Sequence, residues 1–186
     1  MLLAKWGADT ASQTGSVVKT AALKIRHATP ADADALSALI FASYSRLYRG
    51  WYADDVLAVA LPLMSKANPH LLASGTYFVA ELAGEIAGCG GWTETPPGGG
   101  EAKPGTAHIR HFATHPDHLR QGVARGLIER CFADAKAKRI ALLKCLSSLP
   151  AEGFYARLGF RRIGPTDFVL PGDIRLAAVA MERDLG

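Results

Sequence analysis

Two small residues stand just before an apolar helical repeat in the stretch HPDHLRQGVARGLIERCF, which begins at His115. Gly122 and Ala124 have little or no side chain, so a bulky anion can approach the backbone closely. A helix that begins here presents unpaired N–H groups and the positive end of its dipole, and Arg120 and Arg125 add charge. The stretch predicts a phosphate site, unless the glycine only permits a sharp turn before a helix.

Two common phosphate-binding motifs are missing from the chain. It contains no G-x-x-x-x-G-K-[ST] loop, and the turn lacks the G-x-G-x-x-G spacing of a dinucleotide fold. We therefore expect a pyrophosphate ligand of another class.

The elements around this turn can be predicted from hydrophobic periodicity. Alternation in LKIRHA, from Leu23, predicts a strand, and TPADADALSALIFASYSRLY then changes to helical spacing. Thr29 is the expected cap of that helix and Pro30 its first residue. The predicted buried stripe consists of Leu36, Leu39, Ile40, Tyr44 and Leu47.

A second helix is predicted in ADDVLAVALPLMSKA, with Pro62 expected to kink or divide it. Two strand-like runs, TYFVAEL and EIAGCGGWTE, meet around Ala83 and Gly84 and predict a β-hairpin. The following TPPGGGEAKPG cannot form a packed element and predicts a long mobile loop, a feature that is often functional.

After the loop, AHIRHFAT predicts a strand, and the helix that follows the glycine turn has a stripe of Val123, Leu127, Cys131 and Ala135, with Ile128 and Phe132 beside it. RIALLKCL is nearly continuously apolar, as in a strand buried on both faces. A short helix, AEGFYARL, should end at Gly159, and FRRIG and IRLAAVAMERDL predict two final strands. The predicted order is β α α β β β α β α β β.

Composition narrows the class of protein. The 186 residues, half of them apolar, suit one compact domain, and the formal net charge of +4 is spread along the chain rather than concentrated as in a nucleic-acid binder. Cys89, Cys131 and Cys145 form no metal-binding or redox pair and are expected as buried free thiols.

With no apolar run of about 20 residues and no secretory signal, we expect a cytoplasmic protein with no membrane or nucleic-acid partner. Residues 1–22 are expected to be a flexible N-terminal extension to a domain at 23–186.

Three segments together carry a family resemblance: IRHFATHP before the turn, RQGVA within it, and SSLPAEGFYARLGF about thirty residues later. This combination resembles the GNAT superfamily of acyl-CoA N-acyltransferases. The resemblance implies an α/β (α+β) fold with a central mixed, mostly antiparallel, splayed β-sheet flanked by helices. It also implies acetyl-CoA as co-substrate, with no metal.

The resemblance further implies a set of site residues. The strand edge formed by Phe112, Ala113 and Thr114 would pair with the pantetheine arm, and Tyr155 would donate a proton to the departing thiolate. A backbone N–H near Phe112 or Ala113 would stabilise the oxyanion. The amides that would hold the pyrophosphate belong to Arg120, Gln121, Gly122, Val123, Ala124 and Arg125.

Two positions depart from the family pattern. The turn usually begins with Arg or Gln three residues before the central glycine, where this chain has Leu119. This puts a side-chain contact from position 119 in doubt, with Arg120 as a substitute. The Asn often found ahead of F-Y is also missing, and Ser147, Ser148 and Pro150 occupy its neighbourhood. A contact to the pantetheine arm is then lost or altered.

Acylation of an amine requires a neutral nucleophile, so a general base is useful. His108 is the first candidate because imidazole titrates near ~6.5. Strand alternation places residues 108, 110 and 112 on one face, whereas a bulge would turn His111 inward. Glu94 and His111 are the alternatives, and each histidine could equally be an ordinary strand residue.

The sequence gives little information about the chemical class of the acceptor. Tyr44, Tyr48, Trp51 and Tyr52 cluster at the end of the first helix, and Trp92 precedes the loop. An aromatic wall would suit an apolar, aromatic or cationic amine, although ordinary packing explains the same residues. Small-molecule amines and protein or peptide amines both stay open as partners, and a homodimer is the expected assembly if the chain self-associates. The competing hypothesis is a non-catalytic acyl-CoA sensor or partner-binding module of the same fold.

Overall fold

The computed structural model describes residues 22–186, so the prediction for residues 1–21 lies outside the described residues. The observed order of elements matches the predicted order, with one additional short helix. The strands are β1 (Lys24–His27), β2 (Tyr77–Leu82), β3 (Glu85–Thr93), β4 (Thr106–Thr114), β5 (Leu142–Ser148), β6 (Arg161–Leu170) and β7 (Ile174–Asp184). The helices are α1 (Ala33–Leu47), α2 (Asp54–Met64), α3 (Pro69–Leu72), α4 (Val123–Ala137) and α5 (Glu152–Arg157).

The seven strands form one sheet in the order β1-β2-β3-β4-β5-β7-β6. Every neighbouring pair is antiparallel except β4 and β5, which are parallel. The predicted mixed, mostly antiparallel sheet flanked by helices is therefore confirmed. The β2–β3 hairpin turns at Ala83 and Gly84, both at positive φ (55° and 88°), as a tight hairpin turn requires.

Hydrophobic cores lie on both faces of the sheet. On one face α4 buries the predicted stripe, including Leu127, Cys131 and Ala135, against β2, β3 and β4. On the other, α1 and α2 cover side chains of β2, β3 and the end of β4. All three cysteines are buried free thiols, as predicted.

The ends of the first helix differ from the prediction. Thr29 precedes a single 3-10 turn, Pro30–Asp32, and the α-helix itself begins at Ala33. The Asp32 carboxylate accepts hydrogen bonds from the Thr29 backbone N–H at 2.7 Å and from Arg26 at 2.7 and 2.9 Å. Leu47, predicted to be buried, is 37% exposed and is the last residue of α1.

Three further predictions need correction. Pro62 does not divide α2, which continues to Met64, although the proline leaves the Ala58 carbonyl without its usual helical partner. The short helix α3 was not predicted. The strand predicted at FRRIG runs on to Leu170, since its pairing with β7 continues to the turn at residues 171–173.

Candidate active site

A cleft opens where β4 and β5 separate. The two strands pair only at Thr106, Ala107 and His108, and β5 then continues along β7 over its whole length. From Ile109 onward, the β5-facing edge of β4 has no strand partner among the described residues. That edge includes Phe112 and Thr114, whereas the Ala113 N–H is directed towards Cys89 of β3, so the structure exposes to the cleft part of the backbone expected to pair with a pantetheine arm.

A bulge interrupts β4 beside this cleft. The register of β4 against β3 shifts between Cys89 and Gly91, and His111 has φ +45°. Gly90 makes the bulge possible, since a Cβ there would lie 2.6 Å from the Phe112 ring. The alternation expected for residues 108, 110 and 112 consequently breaks at His111.

The bulge also sets the direction of one backbone amide. The Tyr77 hydroxyl donates to the His111 carbonyl at 2.8 Å. Because N–H and C=O of a trans peptide point in opposite directions, the Phe112 N–H points away from Tyr77. The Ala113 N–H is directed instead at the Cys89 thiol, where it lowers that thiol's pKa against the larger effect of burial.

The glycine turn has the geometry of an anion site. Gly122 is the N-cap of α4 at φ +82°, and a Cβ there would have no heavy atom within 4 Å. The first amide of this turn to bond within the helix is that of Gly126, to the Gly122 carbonyl at 2.8 Å. The amides of Val123, Ala124 and Arg125 therefore point out of the helix with no partner among the described residues, at the positive end of its dipole.

Two side chains at this turn already form hydrogen bonds within the protein. Arg125 donates to Glu129 at 2.8 Å, and Gln121 donates to the Asp117 carbonyl at 3.1 Å. Arg120 is exposed at φ +62°. Leu119, at the position that departs from the family pattern, lines the cleft with apolar surface.

One cavity of about 700 Å³ connects this turn with α1. Its cofactor half is lined by the β4 edge, Leu119 and Ala124, and by residues of the segment 146–155. Its other half is lined by α1, the end of α2, the α2–α3 connection, Pro97 and Gly98 of the long loop, part of β4, and β6. The residues of this second half are Ser43, Tyr44, Leu47, Tyr48, Leu63, Met64, Lys66, Asn68, Arg110, His111, Asp167, Phe168, Val169 and Leu170.

Tyr155 lies where the two halves meet. Its side chain is 5% exposed and contacts Phe112, Phe154 and Phe160 in edge-to-face geometry, with ring centroids 6.5, 5.1 and 5.4 Å away. Burial, with a smaller effect of the neighbouring Cys145 thiol, raises the pKa of Tyr155 well above its usual value. The hydroxyl is therefore protonated at neutral pH and can act as a hydrogen-bond donor in the cleft.

The three candidate bases lie in different places. His111 lines the cavity, and burial, followed by the positive charge of Arg110, lowers its pKa to about 4. His108 pairs with Lys144 at the closed end of the cleft and is not among the cavity residues, and partial burial lowers its pKa. Glu94 is exposed and also lies outside this cavity.

The predicted aromatic wall is only partly formed. Tyr44 and Tyr48 line the cavity as stacked rings 4.8 Å apart. Trp92 does not belong to it, because its indole is buried on the α4 face and donates to Asp134 at 3.1 Å. Trp51 is 55% exposed outside the cavity, while the Tyr52 hydroxyl bonds the backbone of β7 and of Leu149.

Ser148 and Pro150, which the sequence places near the missing family Asn, line the cofactor half of the cavity. Three other cavity residues were not predicted from the sequence. Arg110, Lys66 and Asp167 come from three distant segments, and no local motif marks them. The Ser43 hydroxyl, in the α1 wall, is buried with no hydrogen-bond partner among the described residues.

The resemblance to the GNAT superfamily predicted from the sequence is confirmed by a family-model match. Residues 73–162 match the family model of the acetyltransferase (GNAT) domain. No curated protein sequence matches the chain significantly.

Similar solved structures support the fold. A GCN5-related N-acetyltransferase from Rhodopseudomonas palustris is 24% identical over 89% of this chain and 96% of its own, with a TM-score of 0.67. The PaiA N-acetyltransferase from Thermoplasma acidophilum, solved with coenzyme A, is 14% identical over 88% and 99%, with a TM-score of 0.65. N-acetylglutamate synthase from Neisseria gonorrhoeae, solved with coenzyme A and N-acetyl-glutamate, is 19% identical over 90% of this chain and 36% of its own, with a TM-score of 0.62.

Neither a cluster of metal-binding side chains nor a membrane-spanning helix occurs in the part of the chain that the structure describes. Across residues 22–186, no group of three or more His, Cys, Asp or Glu side chains is arranged to hold a metal ion. None of the helices in that range combines the length and apolar character needed to cross a membrane.

Proposed function

We propose that the chain transfers an acetyl group from acetyl-CoA to a primary amine by direct attack within a ternary complex. The observation that carries this proposal is the position of Tyr155, a protonated hydroxyl in a cleft between a free strand edge and an open helix N-terminus. The cofactor assignment also agrees with the coenzyme A found in similar structures. A cytoplasmic location stays a prediction, favoured by the buried free thiols.

The cofactor half of the cavity supports a specific mode of binding. The unpaired amides at the start of α4 would receive the pyrophosphate, with Gly122 allowing close approach. The β4 edge at Phe112, Ala113 and Thr114 would hydrogen-bond the pantetheine arm, as an added strand does. This arrangement would direct the thioester towards Tyr155 and the acceptor half.

His111 is our choice for the general base in place of His108. It lines the cavity, and its pKa of about 4 keeps the imidazole neutral at pH 7, so that it can accept a proton. The low pKa also makes it a weak base, so an amine that arrives protonated would lose its first proton to solvent.

The remaining chemistry would use Phe112 and Tyr155. As the amine nitrogen bonds to the carbonyl carbon, the Phe112 N–H would stabilise the charge on oxygen and His111 would take the excess amine proton. Tyr155 would then protonate the sulfur as the carbon–sulfur bond breaks, which leaves an amide and a free thiol. Solvent carries the His111 proton back to the Tyr155 oxygen, so the enzyme is restored.

A non-catalytic acyl-CoA sensor is the alternative. It would need the open helix N-terminus and the β4 edge but no hydroxyl at Tyr155, and it would not need an enclosed second half of the cavity. The retained Tyr155 and the second half of the cavity both favour the enzyme.

Two measurements test the proposal in sequence. CoA or acetyl-CoA at ~100 times its Kd should stabilise the protein by roughly 2.7 kcal/mol, visible as a raised Tm. ATP and NAD at the same concentration should do much less, and equal shifts from all three would reject the cofactor. A library of primary amines is then screened for release of free thiol from acetyl-CoA. CoA binding with no thiol release from any amine would leave the sensor as the function.

A further inference from the structure

Two positive side chains line the acceptor half of the cavity, and one of them, Arg110, also lines a neighbouring cavity with Thr93, Glu94 and Thr95. Arg110 projects from β4, and Lys66 comes from the connection between α2 and α3. Arg110 is partly buried, and within residues 22–186 its guanidinium donates only to neutral oxygens, the Thr93 hydroxyl at 2.8 Å and the Thr95 carbonyl at 3.4 Å. Those two bonds orient the guanidinium without neutralising its charge.

No acid in residues 22–186 forms an ion pair with either cation. The carboxylate in the same cavity wall, Asp167, is half exposed and lies 3.8 Å from Arg175 on the neighbouring strand. The acceptor half therefore carries an excess of positive charge. Partial burial lowers the pKa of Arg110, which shows that the protein environment disfavours this charge.

The cofactor phosphates are not placed to use these cations. Arg110 lies four residues before Thr114, and at about 3.3 Å per residue this is roughly 13 Å along the strand from the end that leads to the glycine turn. Arg120 and Arg125 already lie at that turn. Arg110 is instead the immediate neighbour of His111, where the acceptor amine would sit.

The rest of the acceptor wall is mostly apolar. Leu47, Leu63, Met64 and Phe168 contribute hydrocarbon or aromatic surface, and the stacked rings of Tyr44 and Tyr48 complete it. These walls come from helices on one side and from β6 on the other, so the space suits a small molecule. Two uncompensated cations also repel polyamines and other polycationic acceptors.

We propose that the acceptor is a small amino carboxylate with an apolar remainder, such as an apolar amino acid, and that Arg110 binds its carboxylate with help from Lys66. This inference rests on the proposed acetyl transfer and defines its substrate class. Arginine suits the role because its planar guanidinium can bind a carboxylate through two parallel hydrogen bonds. The attacking amine is then held beside His111.

The first test compares matched acceptors on the full-length protein. Phenylalanine, leucine and methionine are assayed beside their carboxamides, which keep the amine and side chain but lack the negative charge. Rates are compared at equal concentrations of the neutral amine, because the two amines differ in pKa. The expected result is a kcat/KM at least about tenfold higher for each amino acid. Equal or better use of the carboxamides would overturn the proposal.

Three variants test whether Arg110 causes the preference for amino acids over their carboxamides. Arg110→Gln should remove it by raising KM for the amino acids at least about tenfold more than KM for the carboxamides. Arg110→Lys should retain part of the preference, since it keeps the charge. Lys136→Gln, at an exposed position of α4 outside the cavity, removes one positive charge elsewhere and should retain all of it. An undiminished preference in Arg110→Gln would refute the assignment.

A binding measurement keeps the test independent of turnover. The CoA-loaded protein is titrated calorimetrically with the N-acetyl derivatives of the same amino acids and with their carboxamides. Tighter binding of the carboxylates, lost in Arg110→Gln, supports the anion site even if no amine is acetylated. Acetylation of amines without regard to carboxylate refutes this inference alone, whereas failure of every amine to release thiol refutes the proposed function.

Discussion

Replacing Gly122 by valine tests the anion site at the start of α4. The backbone there has φ +82°, a conformation that a β-branched residue rarely adopts, yet a Cβ would meet no heavy atom within 4 Å. The folded protein thus has space for the new side chain. The substitution should therefore have two separate free-energy costs. One is backbone strain in the free protein, and the other is obstruction of the ligand as it approaches the turn.

The backbone cost should appear as lost stability. A non-glycine residue in this region costs about 1–3 kcal/mol, and valine belongs at the upper end because of its branched Cβ. The ligand cost should appear as lost affinity, because the side chain stands in the open space before the first-turn amides. We expect CoA to bind at least tenfold more weakly, which corresponds to about 1.4 kcal/mol.

Gly84→Val separates the two costs. Gly84 has φ +88°, and a Cβ at this position would also meet no heavy atom within 4 Å, but the residue lies in the β2–β3 turn away from the cleft. The variant should lose comparable stability and no CoA affinity. Calorimetric titration with CoA and thermal unfolding are run on both variants below their Tm, with circular dichroism to verify the fold.

Pantetheine supplies a second control, because it lacks the pyrophosphate. Acetyl-pantetheine should be used as acetyl donor with nearly the same kcat/KM by the Gly122→Val variant as by the unmodified protein. A folded Gly122→Val protein with unchanged CoA affinity would return the glycine to a purely structural role at the turn.

Three further predictions concern acid–base groups. Tyr155→Phe should lower kcat and kcat/KM together by about 10²–10⁴-fold with CoA affinity unchanged, and a loss below tenfold would leave solvent as the acid. At saturating acceptor, kcat should rise with pH through about 4 as His111 loses its proton, and His111→Asn, which tolerates the positive φ, should abolish this limb while His108→Asn keeps it. The reverse pattern would make His108 the base. The Arg26 guanidinium holds the pKa of Asp32 at about 2, so the carboxylate stabilises the fold above its unfolded pKa near ~3.9 and this contribution is lost as pH falls towards about 2. Asp32→Asn should cost about 1 kcal/mol at pH 7 and flatten that part of the pH–stability curve, measured by chemical denaturation.

Local features of the sequence determined most of the architecture. The order of elements, the β2–β3 hairpin and the buried stripe of α4 follow from periodicities of two and about four residues and from turn glycines, which act within a few positions of the chain. The glycine turn was identifiable for the same reason, since the positive φ of Gly122 and the free amides that follow it are local properties. The position of Tyr155 could be inferred only because the F-Y segment follows a family pattern.

The acceptor half of the cavity was decided by tertiary structure. Which histidine faces the cleft depends on a bulge in β4, and that bulge depends on the register against β3 and on Gly90, which makes room for Phe112. Trp92 was assigned to the acceptor side from its place beside the loop, but the pleat of β3 turns its ring towards α4. Lys66 and Arg110 are 44 positions apart in the sequence and line the same cavity only because α1 and α2 cover one face of the sheet. A strand's register and a helix's docking are set by contacts between distant segments, so no local pattern records which charges will share a cavity.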